Sequence, residues 1–154
     1  MRRLFPIALL LFLSACKFDG SPTPGCAYLV FGHFYGECEG EQCIELFKLE
    51  ECKLYEDQKD ELDRSGPPNA NWKQLSEAQY ALVSGLPAEI PRQLLDEPET
   101  VIGQPDAGDW GGLYIEVRYL GETLHWYVDK KRDNLPAYLH PMADAVEEAV
   151  EALQ

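Results

Sequence analysis

The period of hydrophobic and polar positions changes several times along this 154-residue chain. Residues 4–13 are almost continuously apolar, broken only by Pro6. Residues 27–35 (AYLVFGHFY) and 43–49 (CIELFKL) are short runs of aromatic and branched side chains, the composition of β-strands. The glycine-rich stretch 36–42 between them predicts a hairpin turn, and 53–56 a short third strand. Residues 57–71 are polar and include Ser65-Gly66-Pro67-Pro68-Asn69, which predicts an exposed loop. Ser76 followed by Gln79 is a capping-box pattern that opens a short helix, with Gly85 and Pro87 ending it. Residues 91–95 predict one or two helical turns. Residues 97–112 hold Pro98, Pro105 and four glycines, which predicts a loop around a short Val101-Ile102 segment.

The clearest period-two pattern follows. Leu113, Ile115, Val117 and Tyr119 alternate with Tyr114, Glu116 and Arg118, as in a half-buried strand. Leu124, Trp126 and Val128 alternate with His125, Tyr127 and Asp129, and a tight turn at Gly121-Glu122 joins the two runs into a second hairpin. Asn134 is placed to cap a helix with Pro136 at its first position. Leu135, Tyr138, Leu139, Met142, Val146, Ala149, Val150 and Leu153 then recur at helical spacing opposite Asp144, Glu147, Glu148 and Glu151. Pro141 limits the regular part of that helix to the later residues. Two hairpins with helices between and after them predict an α+β fold, a small antiparallel sheet with short middle helices and a C-terminal amphipathic helix on one face.

The first segment changes where this fold is expected to work. Met1-Arg2-Arg3, a ten-residue apolar core and small Ser14-Ala15 describe a secretory signal. The run is well short of the roughly 20 residues that a spanning helix needs. Leu13-Ser14-Ala15-Cys16 resembles the lipobox of bacterial lipoproteins. That resemblance implies cleavage before Cys16, lipidation of its thiol and acylation of the new amino terminus. The expected organisation is a signal peptide over 1–15, a lipidated cysteine and tether over 16–25, and one globular domain over 26–154. A proline-containing tether extends about 3.1 Å per residue, so it holds the domain within roughly 30 Å of the membrane.

Removal of the signal leaves a chain of about 139 residues, one domain's worth. It takes the formal net charge from −14 to about −16. Such a chain is a poor match for nucleic acid, whose phosphates need Lys and Arg, and for anionic lipid. It favours solubility and cationic partners. With Cys16 assigned to lipid, Cys26, Cys38, Cys43 and Cys52 remain, an even number that reads as two disulfides in an exported chain. In the predicted hairpin Cys38 and Cys43 flank the turn while Cys26 and Cys52 face each other at the open end. The expected pairs are therefore Cys38–Cys43 and Cys26–Cys52. A four-thiolate zinc site is the rival, but the spacings lack the close CxxC pairs that such sites use.

Gly32-His33-Phe34-Tyr35-Gly36-x-Cys38-x-Gly40-Glu41-Gln42-Cys43-Ile44-Glu45-x-Phe47-Lys48-Leu49, then Lys53-Leu54-Tyr55-Glu56-Asp57, resembles a group of small envelope lipoproteins of Bacteroidota-type bacteria. Gly103-x-Pro105-Asp106, Gly111-Gly112-x-Tyr114-Ile115-Glu116 and Leu135-Pro136-x-Tyr138-Leu139 extend the likeness over most of the mature chain. Members of that group carry cysteines where this chain has Gln104 and Ala107, so chemistry needing that thiol pair is not expected here. The resemblance implies an envelope lipoprotein and supplies no activity.

Candidate chemistry is sparse. His33, His125 and His140 lie in distant segments, and no metal or other cofactor is expected. Asp57, Asp60, Glu61 and Asp63 lack the alternation and central glycine of a calcium loop and read as solvated. Asp106, Asp109 and Trp110, set among Gly103, Gly108, Gly111 and Gly112, form a candidate ligand loop. The competing reading is a turn with a tucked tryptophan. Glu37, Glu39, Glu41 and Glu45 could supply an acid/base pair, but carboxylates on a hairpin are usually only solvated. No nucleophile elbow, zinc-protease helix or phosphate loop occurs. The sequence points to a lipid-anchored, non-enzymatic envelope module that binds a protein or another envelope component. An envelope hydrolase or an inhibitor of an exported protease is the alternative, with 37–42 or 106–112 as the presented loop. Lys17 stands where inner-membrane lipoproteins typically have aspartate, which favours the outer membrane.

Overall fold

The computed structural model describes residues 27–38, 40–62 and 67–154. Among them seven strands form one sheet: β1 Leu29–Phe34, β2 Ile44–Glu50, β3 Lys53–Asp57, β4 Trp72–Gln74, β5 Val101–Ile102, β6 Gly112–Tyr119 and β7 Glu122–Asp129. Their order across the sheet is β4-β3-β2-β1-β6-β7-β5. Every pairing is antiparallel except the edge pair β5 with β7, which is parallel. The two helices are α1 Glu77–Val83 and α2 His140–Leu153. The fold is α+β, as the hydrophobic pattern implies.

Side chains alternate across the sheet, and each face has its own core. Leu29, Phe31, Phe47, Leu49, Leu113, Ile115, Trp126 and Val128 pack with Val83 of α1 and with Met142, Val146 and Val150 of α2. Val30, Phe34, Leu46, Tyr114 and Tyr127 form a second cluster on the face without helices, joined by Tyr28, Ile44, Leu62 and Trp72. The central strands are consequently buried on both sides, and β6 is buried from Gly112 through Val117.

Local chemistry explains most element ends. The Ser76 side chain accepts from the Gln79 N–H, and Gln79 returns the bond to the Ser76 N–H. This is the reciprocal capping box predicted for α1. Past the cap the chain tightens into 3₁₀ turns at Leu86–Glu89 and Arg92–Asp96, where Pro87 and Pro91 favour short helical pieces. The C-terminal helix begins differently from expectation. A 3₁₀ turn, Ala137–Leu139, precedes α2, and Pro141 occupies its first turn, where a missing N–H is harmless. Asn134 is not its cap, because α2 starts only at His140 with Leu139 before it, and the Asn134 amide instead donates to Asp129 at 2.7 Å. Strand β4 falls in a stretch the pattern left unassigned. Asp57, expected to be solvated, is 2% exposed, and its Oδ1 accepts from the N–H groups of Lys59 and Asn71.

The β6–β7 turn lies one residue earlier than expected. Leu120 (φ 50) and Gly121 (φ 86) are the two turn residues, and Glu122 already belongs to β7. Positive φ at both positions matches the twist of an antiparallel hairpin. Gly121 meets it freely, whereas a leucine in the left-handed region costs about 1 kcal/mol or more. Leu120 is also 87% exposed, so burial does not offset that strain. Leu120→Asn is therefore expected to raise stability by about 0.5–1 kcal/mol, because asparagine tolerates this conformation. Urea unfolding of the two proteins measures the difference, and a less stable variant would contradict the assignment of strain.

Candidate functional site

Strand β1 runs toward one end of the sheet, where β2 and β6 begin and β7 finishes. Three connections meet at that end: 35–43, 103–111 and 130–134. They contain both segments that the sequence marks as presentable loops.

The first connection is stapled. Cys38 and Cys43 form the expected disulfide, with Cα atoms 5.6 Å apart. Inside it the Cys43 N–H donates to Gly40, and the Tyr35 N–H donates to the Cys43 carbonyl at 2.8 Å. Cys52 is also disulfide-bonded. Its expected partner Cys26, like Cys16, lies outside the described residues.

Two carboxylates organise the other connections. Asp106 (φ 62) accepts from the N–H of Gly36 at 2.9 Å and from the N–H of Gly111 at 3.1 Å, tying the second connection to the first. Gly111 (φ 78) passes so near Tyr35 and Phe34 that a Cβ would lie 2.5 Å from the Tyr35 ring. Asp129 is fully buried. Its carboxylate accepts from the Gln104 N–H (2.8 Å), the Trp110 indole (2.9 Å), the Lys131 N–H (2.8 Å) and the Asn134 amide (2.7 Å). Burial alone would raise its pKa. The four donors outweigh burial and hold it below the ordinary 3.8. Lys131 Nζ sits 3.3 Å above the centre of the Trp110 ring.

The candidate ligand loop thus divides by role. The Asp106 carboxylate and the Trp110 indole are committed to the frame. Asp109 (φ 60) stands exposed at the tip, free to meet something outside. Beside this loop, Phe34, Val101, Gln104, Pro105, Ala107 and Tyr127 line an apolar cavity of about 230 Å³.

On the helix side of the same end lies a second cleft, about 310 Å³, lined by His33, Lys130, Glu147, Val150, Glu151 and Gln154. Lys130 Nζ donates to the Tyr35 hydroxyl at 2.7 Å and lies 3.0 Å from Glu147. Burial would lower its pKa, but these two partners raise it, so the amine stays charged. His33 Nε2 is 3.1 Å from the Gln42 carbonyl. A carbonyl can only accept, so Nε2 carries the proton and Nδ1 keeps its lone pair. Burial, helped by nearby Lys130, lowers the His33 pKa below 6.5. The other two histidines are elsewhere. His125 stacks with Tyr114 on the helix-free face, and His140 contacts the carbonyls of Arg132 and Leu135. Among the described residues no group of three or more His, Cys, Asp or Glu side chains is placed to hold a metal ion.

The helix-free face carries a polar network that the sequence pattern hid. Glu116, 4% exposed, accepts from Tyr28 at 2.5 Å and Tyr114 at 2.6 Å. Burial and the carboxylate together push both phenol pKa values well up, so both stay protonated donors. Arg118 lies 4.2 Å over the Tyr28 ring and 3.6 Å from Glu50, which in turn pairs with Lys48 at 2.9 Å. Lys48 lies over the rings of Tyr55 and Trp72. Period two places Tyr114, Glu116 and Arg118 on the polar side of a half-buried strand. Their signal was the density of aromatics at 28, 55, 72, 114 and 127, which marks a second buried face.

Two measurements test this frame. Asp129→Ala leaves four donors without their buried acceptor and is expected to cost about 3 kcal/mol or more, against about 1–2 for Asp106→Ala. Equal losses in denaturant unfolding would contradict the hub. For His33 the folded pKa is the lower one, so the unfolded chain takes the proton first. Stability is then lost as pH falls through 6.5 toward the folded value, at no more than about 1.4 kcal/mol per pH unit. His33→Gln should flatten stability between pH 7.5 and 5.5, and an unchanged slope would contradict a buried, neutral His33.

Comparison of the chain with protein-family models, with curated proteins and with solved structures returned no match.

Proposed function

We propose that this chain is an envelope lipoprotein, anchored through Cys16, whose α+β domain is a non-enzymatic binding module. Its partner is a protein or another envelope component, met by the loops at the far end of the sheet. The observation that carries this reading is the convergence of segments 37–42 and 106–112. They lie side by side, joined by the Gly36–Asp106 bond, at the end of β1 opposite the one where the chain enters it. A disulfide and a buried four-donor carboxylate stiffen them. Loops fixed before binding lose little freedom on contact, which is how a rigid module gains affinity.

The sequence supplies the address. The charged start, apolar core and lipobox of residues 1–16 favour export and lipidation, and two or more acyl chains hold a protein stably where one does not. Lys17 favours the outer membrane. The acidic balance favours a partner with a basic contact surface.

The test begins with the intact mass of the protein extracted from its own membranes. The expected mass starts at Cys16, carries acyl chains and lacks four hydrogens for two disulfides. Photo-crosslinkers at Glu37 and Asp109 should then capture a partner in the intact envelope, and Asp109→Arg with Glu37→Arg should abolish that capture. A crosslink pattern indifferent to both substitutions would overturn the loop-end reading. One observation keeps the hydrolase alternative in view. His33 has a free Nδ1 beside Lys130 and Glu147 in a cleft. An envelope hydrolytic activity abolished by His33→Gln, in a protein that still folds, would replace the binding reading.

A further inference from the structure

Leu120 is a residue that the fold does not need. It is 87% exposed, against 62% for Leu82 and 54% for Val101, the other large apolar side chains that stand out among the described residues. It also holds the left-handed conformation (φ 50) that Gly or Asn adopts without strain. A single exposed leucine is ordinary on a protein surface. One held in a strained turn, where a better-suited residue would be both more stable and more soluble, calls for a contact outside the fold.

Its place in the topology says which contact. Leu29, the first residue of β1, pairs with Val117, and β6 ends two residues later at Tyr119. The β6–β7 turn therefore stands at the end of the sheet where the chain arrives from Cys16. Beside Leu120 the Arg118 side chain is 53% exposed and lies over the Tyr28 ring, while Tyr119 is half-buried. Leu120 lies between Tyr119 and Gly121, with Arg118 before and exposed Glu122 after them, so an aliphatic tip is ringed by a phenol and by charges of both signs, as at a zwitterionic water–lipid boundary. Long basic and phenolic side chains there keep their polar ends at the headgroups while an aliphatic one goes deeper.

We infer that the β6–β7 turn is a lipid-seating site: Leu120 enters the headgroup–acyl boundary of the anchoring bilayer, with Arg118 and Tyr119 at headgroup level. The inference rests on the anchored reading above. One leucine would not bring a free domain to a membrane. A tether on Cys16 changes that, because it holds the turn at high effective concentration over the surface. Seating then fixes the orientation of the domain, with β1 running away from the bilayer and the loops of residues 35–43 and 103–111 facing outward. The contact is apolar, and the acidic chain is repelled by anionic surfaces, so seating should be strongest on zwitterionic lipid.

The test uses the acylated protein reconstituted in phosphatidylcholine vesicles. Leu120→Cys carries a nitrobenzoxadiazole label, and Glu37→Cys carries the same label at the far end. The expected result is blue-shifted emission and quenching by spin-labelled lipid at position 120 only, weakened when phosphatidylglycerol is added. Hydrogen exchange reports on the unlabelled protein. Amides 118–122 should exchange several-fold more slowly in vesicles than in detergent for the natural chain, and not for Leu120→Asn. That variant is expected to be more stable, so loss of protection cannot come from unfolding. A label at 120 that stays in water on vesicles holding acylated protein, or equal protection in both chains, overturns the seating site and leaves the anchor standing. Absence of acyl chains on Cys16 overturns the anchor instead. The labelled domain coupled through its N-terminus to maleimide lipid then decides seating alone: quenching at 120 supports it, and none overturns it.

Discussion

The pairing of β1 with β6 holds this molecule together. The two strands come from separate hairpins, one ending at Glu50 and the other beginning at Gly112, and their six-residue register from Leu29↔Val117 to Phe34↔Gly112 makes one sheet of them. Closing so long a loop is entropically costly and slow. The return is a centre buried on both faces. Gly32 shows how tight that centre is, because a Cβ there would lie 1.9 Å from the Glu45 carbonyl oxygen. Any side chain at 32 would force β1 away from β2, and the alignment of β1 with β6 would be lost with it.

Burial on both faces also decides where polar groups can survive. Glu116 faces Val30 across the pairing, and only the hydroxyls of Tyr28 and Tyr114 make its burial tolerable. Asp129 sits where β7 leaves the sheet, surrounded by the N–H groups of two turning segments. The first carboxylate stitches neighbouring positions on one face together. The second converts the ends of separate connections into a single body. Neither is arranged to react, since the oxygens of each are already occupied by donors from the chain.

Much of this was legible in the sequence, and the exceptions share a cause. Both hairpins, the capping box of α1, the amphipathic α2 and the Cys38–Cys43 staple follow from local pattern and spacing. What stayed hidden depends on contacts between distant segments. Alternation at Tyr114, Glu116 and Arg118 suggested a wet face because period two reports only that the faces differ, not that the second is dry. The two-residue strand β5 exists only because β7 lies beside it. Asn134 resembles a helix cap because its preference for turns is local, whereas the late start of α2 at His140 is set by the 3₁₀ turn Ala137–Leu139 that packs Leu139 into the core. In the candidate loop, the glycines rightly signalled close backbone approach. They could not show that Asp106 and Trp110 are spent holding the loop while Asp109 is presented.

These constraints leave the two ends of the sheet more open than its faces. The helix-bearing face is covered by α1 and α2, with an open cleft of about 370 Å³ between them, the other face by aromatics and the Glu116 network, and the edges are strands of three and two residues, too short to template a partner strand. The two ends differ in kind. One gathers three connections under a disulfide and a shared carboxylate, which hold them as one body. The other carries a two-residue turn whose single apolar side chain is strained and bare, beside the strand through which the chain enters the domain. A sheet with covered faces and two unlike ends has a direction, because a contact at one end meets stapled, hydrogen-bonded loops and a contact at the other meets a bare apolar turn.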